Sequence, residues 1–137
     1  MTPTAQVGPE TRLLRNAIGN LRRMGLAVWS LEQHRRSRQT EGVSDLIVAG
    51  EGCWTALELK AKANLPTDAQ WTFLEHLRRA GNDALLAWCM DDILWGCRRI
   101  GMLEKLDEKD VPEPQHLSMR FKKYIPRLYP GWGEELS

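Results

Sequence analysis

The chain has 137 residues, 42% of them hydrophobic and 27% charged, with a formal net charge of +1. That length suits one domain around one core, the apolar content argues against disorder, and no apolar run is long enough for a membrane span. A near-neutral chain gives no argument for a nucleic-acid partner from total charge, so any such argument must come from how the charges are distributed.

The start, Met1-Thr2-Pro3-Thr4-Ala5-Gln6, lacks a basic stretch followed by an apolar one, so no secretory signal is expected. Pro9 suits the first turn of a helix. From there Leu13, Leu14, Ala17, Ile18 and Leu21 recur at helical spacing, and Gly25 is the expected stop. Leu26 to Leu31 reads as a first strand. The polar stretch from Glu32 to Gly42 reads as an exposed loop. Asp45-Leu46-Ile47-Val48 and Trp54 to Lys60 read as two more strands, joined by a turn with Gly50 and Gly52. Thr67 with Gln70 three residues on is a capping box, which starts a second helix that Gly81 ends. Ala84 to Cys89 is a continuous apolar run, as expected of a strand covered on both faces. Asp91 or Asp92 is the expected cap of a third helix reaching Leu103. Beyond Asp107 four prolines punctuate a less regular tail, with a short helix expected from Gln115 to Tyr124. The fold class is α/β, a mixed central sheet flanked by helices in the order αβββαβα. The helix between the third and fourth strands implies parallel pairing there. Residues 1–106 form the expected domain, and 107–137 an extension for DNA or dimer contact.

The second and third strands carry the chemistry. If they pair around the glycine turn, Asp45 falls near Glu58, and Lys60 shares the face of Glu58. Two carboxylates a few Å apart repel by roughly 4 kcal/mol at an effective dielectric constant near 20. A divalent cation between them reverses the sign, and oxygen-only ligation favours Mg2+, with Mn2+ able to substitute. The bland readings are a turn aspartate and a strand-end Glu–Lys pair. Cys53, Cys89 and Cys97 are odd in number without Cys-x-x-Cys spacing, which argues against a disulfide framework and a zinc site. They fit a reducing cytoplasm. Between Arg12 and Arg38 lie seven arginines and one acid, Glu32. A second basic cluster is Arg120, Lys122, Lys123 and Arg127, with Tyr124 and Tyr129 interleaved. Guanidinium forks suit phosphate, so both clusters are candidate DNA contacts, against the plain reading of solvated surface. Trp132 has no core pattern and is expected to stack on a base or a partner.

Gly42-Val43-Ser44-Asp45-Leu46, then Glu58-Leu59-Lys60, then the Gln70-bearing helix resemble the PD-(D/E)xK nuclease superfamily, and most closely its VRR-NUC branch, found in phage proteins and repair nucleases. That branch has proline where Ser44 stands. The resemblance spans about residues 9 to 103. It implies a restriction-endonuclease-like fold and a metal held by Asp45, Glu58 and the Leu59 carbonyl. It makes Lys60 the lysine that steadies charge on the phosphate and aligns the attacking water. Gln70 and Glu10 match a glutamine and a helix-borne acid near the metal. Arg35, Arg36 and Arg38 are expected to grip the DNA backbone near the cut, with His34 and Lys62 as further phosphate contacts. Stand-alone members of the branch act as homodimers on four-way junctions. The implied activity is Mg2+-dependent endonucleolytic hydrolysis of branched DNA by a homodimeric Holliday junction resolvase in recombination or repair. The alternatives are a non-catalytic DNA-binding or assembly protein, and a nuclease for flaps, ends or single strands.

Overall fold

A computed structural model describes residues 8–31, 44–103 and 110–132. Pro9 sits at the first position of helix α1 (Pro9–Arg23), where its missing N–H costs nothing. Leu14, Ala17 and Leu21 form the buried stripe, and Gly25 leaves the helix at φ +90°. Fully burying a leucine such as Leu21 contributes about 1.5–3 kcal/mol. The Arg22 guanidinium donates to the Val28 carbonyl at 2.9 Å, which ties the helix to the strand that follows.

Four strands form one sheet in the order β1 (Ala27–Ser30), β2 (Leu46–Gly50), β3 (Cys53–Leu59), β4 (Asp83–Ala87). The first two pairings are antiparallel and the third is parallel, a mixed sheet as expected. Gly50 pairs with Cys53, so the turn is only Glu51-Gly52, and Gly52 takes φ +78°, where a side chain would be strained. Each strand of this hairpin extends further toward the turn than the sequence suggested. Asp45 and Lys60 therefore stand just outside the strands, at the end away from the turn.

Helix α2 (Asp68–Arg79) carries the expected capping box and provides the crossover to β4. Ala84, Leu85, Leu86 and Ala87 are all fully buried, as a strand covered on both faces requires. Helix α3 (Met90–Ile100) begins differently from expectation. Its N-cap is Cys89, not Asp91 or Asp92. Asp92 is fully buried and accepts from the Trp88 amide instead, because a partner 26 residues away also claims it. The helix ends at Ile100, with Gly101 at φ +102°. A Cβ on Gly96 of α3 would stand 2.5 Å from Leu85 Cδ1. Gly96→Ala is therefore expected to cost about 1–3 kcal/mol of overpacking. Chemical denaturation reads this as a lower midpoint at unchanged slope, and an unchanged midpoint would mean that α3 and β4 are not in such close contact.

The chain after Asp110 packs into the same core. A 3-10 turn (Pro114–His116) leads into helix α4 (Met119–Leu128), four residues later than the short helix expected from Gln115 to Tyr124 and of the same length. Leu117, Phe121, Ile125, Leu128 and Tyr129 join the buried cluster that includes Leu85 and Ile93. The Tyr129 hydroxyl accepts from the Ala84 amide at 2.9 Å, and the Arg78 Nε donates to the Leu128 carbonyl at 3.0 Å. Trp132 is not free for a base or a partner. It stacks on Tyr129 at 4.0 Å between ring centres and meets Trp95 edge-on at 5.5 Å. Among the described residues no helix is long and apolar enough to cross a membrane.

Candidate metal centre

The β2–β3 register pairs Leu46 with Leu57, so one further step places Asp45 beside Glu58. The Asp45 Oδ2 accepts from the Leu59 amide at 2.9 Å, which pins this carboxylate across the mouth of the hairpin. Glu58 arrives from the last turn-distal positions of β3 and is 1% exposed; Asp45 is 5% exposed. From the first turn of α1, half-buried Glu10 completes a cluster in which one carboxylate oxygen from each residue lies within 4.8 Å of the others. Oxygens on opposite sides of an Mg2+ stand about 4.2 Å apart, twice its 2.1 Å bond. Small side-chain rotations close the difference.

Lys60 Nζ lies 4.0 Å from Glu58 Oε2, with only 10% of its side chain exposed. Gln70 performs both duties that the sequence suggested for it. Its Oε1 accepts from the Thr67 amide at 2.9 Å, completing the cap, while its Nε2 donates to Glu58 Oε2 at 3.4 Å. One amide thus couples the start of α2 to the acid on β3. The other Glu58 oxygen, Oε1, is buried without a hydrogen-bond partner. The Glu58 carboxyl is held well above its ordinary range, first by burial, then by Asp45 as neighbour and charge, against the opposing pull of the Lys60 ammonium. An orphaned buried oxygen among convergent hard donors is what a divalent cation would satisfy, displacing the proton as it bound. The oxygen-only donor set of Glu10, Asp45 and Glu58 is compatible with a hard divalent cation.

Other expected positions fare differently. Lys62, expected as a phosphate contact, is an exposed turn residue at φ 53°, beyond the end of β3 at Leu59. His34, Arg35, Arg36 and Arg38, with Gly42 and Val43, lie outside the described residues. Ser44, which stands where the VRR-NUC motif has proline, is fully buried, and its Oγ has no hydrogen-bond partner.

Sequence reading missed an aromatic group that joins α4 to α2 and β4. Trp71, next to Gln70, and Trp88, next to the Ala87 whose carbonyl accepts from the Lys60 amide, both meet Tyr124 of α4, at 6.0 and 6.2 Å between ring centres. The Trp88 indole donates to the Asn64 carbonyl at 2.9 Å, fixing the loop after Lys60. The signal that was present, a tyrosine inside a basic cluster, did not say which rings it would touch.

No protein-family model and no curated protein matches the sequence. Among solved structures, a VRR_NUC domain aligns with 73% of this chain and 98% of its own, at 20% identity and a TM-score of 0.52. The chain shares the fold of that domain, a four-stranded mixed sheet flanked by helices of the restriction-endonuclease-like type. A second likeness is to Hjc of Archaeoglobus fulgidus, a Holliday junction resolvase from an archaeal hyperthermophile, at 20% identity and a TM-score of 0.43 over 58% of this chain and 67% of that one. In the VRR-NUC fold, the acidic cluster lies where the hairpin opens toward the start of α1 and the Gln70 turn of α2.

Proposed function

We propose that this protein is a Mg2+-dependent endonuclease that hydrolyses phosphodiester bonds in branched DNA, acting as a homodimeric Holliday junction resolvase. The observation that carries the nuclease reading is the convergence of the Glu10, Asp45 and Glu58 carboxylates beside the Lys60 ammonium, on a VRR-NUC fold. The preference for branched DNA and the dimeric state follow from the motif resemblance.

Each residue has a part. Asp45 and Glu58 would hold the cation, with the Leu59 carbonyl as a further oxygen. When bound, it supplies polarisation of the scissile phosphate and acidification of a nearby water. Gln70 keeps Glu58 Oε2 in place, so the acid does not turn away when charged. Lys60, nearly buried and close to Glu58, offsets negative charge that builds on the phosphate as water attacks in line. Glu10, on the rim, is suited to orienting water. The arginines at 35, 36 and 38 would supply sequence-independent, salt-sensitive affinity.

Labelled four-way junction, flap, duplex and single strand are incubated with the protein and Mg2+, Mn2+ or chelator. Cutting of the junction in either metal and none in chelator is expected. Binding without cutting in both metals would refute an enzyme and favour a DNA-assembly role. Sedimentation at working concentration reads the dimer.

A further inference from the structure

Helix α4 lies beyond the stretch that resembles VRR-NUC domains, and it is unusual in charge. Its ten residues include Arg120, Lys122, Lys123 and Arg127 and no acid. Phe121, Ile125 and Leu128 face the core. Positions 120, 123 and 127 share one stripe at helical spacing, on the side that carries Tyr124. The stripe is about 10 Å long at 1.5 Å per residue, the axial span of about three successive phosphates at 3.4 Å each.

Two observations give this stripe a place and a partner. First, Tyr124 fixes it against α2 and the end of β4, because its ring meets Trp71 of α2 and Trp88, which follows the Ala87 whose carbonyl accepts from the Lys60 amide. Second, its cations are not neutralised. Arg127 lies over Trp71 at 4.0 Å and pairs with Glu75 at 2.6 Å, but Glu75 also faces Arg79 at 3.6 Å, so two arginines share one carboxylate. Among the described residues Arg120 has no ionic partner, and the Lys123 ammonium meets only the Tyr124 ring, at 5.3 Å. The aromatic rings here pack on each other and are not offered to bases, so the surface suits backbone phosphates and has no means of reading sequence.

We infer that α4 is a docking rail for the phosphate backbone of the DNA duplex arm leaving the cleavage centre, with Arg120 and Lys123 as its two phosphate contacts and Arg127 holding the rail to α2. The inference rests on the nuclease reading and extends it to a segment outside the resemblance.

The test measures affinity for a blunt duplex against NaCl concentration, with Ca2+ in place of Mg2+, for wild type, Arg120→Gln/Lys123→Gln and Lys123→Arg. Cleavage in Mg2+ at saturating junction is measured alongside. The logarithmic salt slope of the double variant is expected to fall by about two, one per lost contact, while Lys123→Arg keeps the wild-type slope. A wild type that cuts DNA while the double variant keeps its full slope overturns the rail and leaves the nuclease standing. A wild type with neither affinity nor cleavage overturns both.

Discussion

Asp45→Ala and Glu58→Ala are each expected to lower Mg2+-dependent cleavage by about a thousandfold or more, which is ~4 kcal/mol of barrier. Junction binding should stay near the wild-type level, since the phosphate contacts are cationic and elsewhere. Cleavage at wild-type rate in either variant would end the assignment. Stability supplies an independent reading. Three carboxylates within 4.8 Å destabilise the cation-free fold, and a cation that binds only the folded state stabilises it. At a hundred times the dissociation constant that linkage adds about 2.7 kcal/mol, about 10 °C in a domain of this size. Glu58→Gln should lose most of this gain. It should also change the pH response in chelator. In wild type the Glu58 carboxyl sits above its ordinary value of 4.5 because burial and Asp45 disfavour its charge. The folded chain then binds more protons than the unfolded one. That stabilisation is complete below about 4.5 and drains away as pH rises through the raised folded value. Glutamine mimics the protonated acid, so the variant should lose less stability with rising pH than wild type does. Parallel pH profiles would mean that Glu58 is not held neutral in the cation-free fold.

Local rules made much of this architecture readable. The Gly52 turn and the alternation of the flanking strands placed Asp45 opposite Glu58, and the register is the one that alternation demands. Thr67 and Gln70 announced the start of α2, whereas the residues alone did not indicate that the Gln70 amide also reaches Glu58. What stayed hidden depends on contacts distant in sequence. Trp132 carried no periodic pattern because its partners, Tyr129 and Trp95, come from a tail turn and from α3. Tail prolines suggested an irregular extension, yet Pro126 lies inside α4, in its last turn, while Phe121 and Ile125 supply the core-facing stripe.

Asp92 is the strongest example of a non-local role, and its removal should have the largest effect on stability. Its Oδ2 accepts from the Trp88 amide at 2.9 Å and the Ser118 hydroxyl at 2.7 Å, and its Oδ1 accepts from the Ser118 amide at 2.8 Å. The same Ser118 hydroxyl caps α4 by accepting from the Phe121 amide at 3.0 Å. Asp92→Ala strands two amides and frees the cap, at an expected cost of about 4 kcal/mol, read as a fall in melting temperature of more than about 10 °C. Ser118→Ala removes one donor and the cap for about 1–2 kcal/mol. Because both substitutions break the same knot, the double variant should cost clearly less than their sum. Additive effects, or a loss below about 1 kcal/mol for Asp92→Ala, would show that the knot does not hold α3 to α4. The consequence reaches function by position. Trp88 joins this knot to the Tyr124 ring, so losing the Asp92 carboxylate lets the cationic face of α4 shift against the end of β4. At a temperature where Asp92→Ala is still folded, its Mg2+-dependent stabilisation should match wild type while its affinity for duplex falls, which separates the part of the chain that holds the ion from the part that holds the DNA.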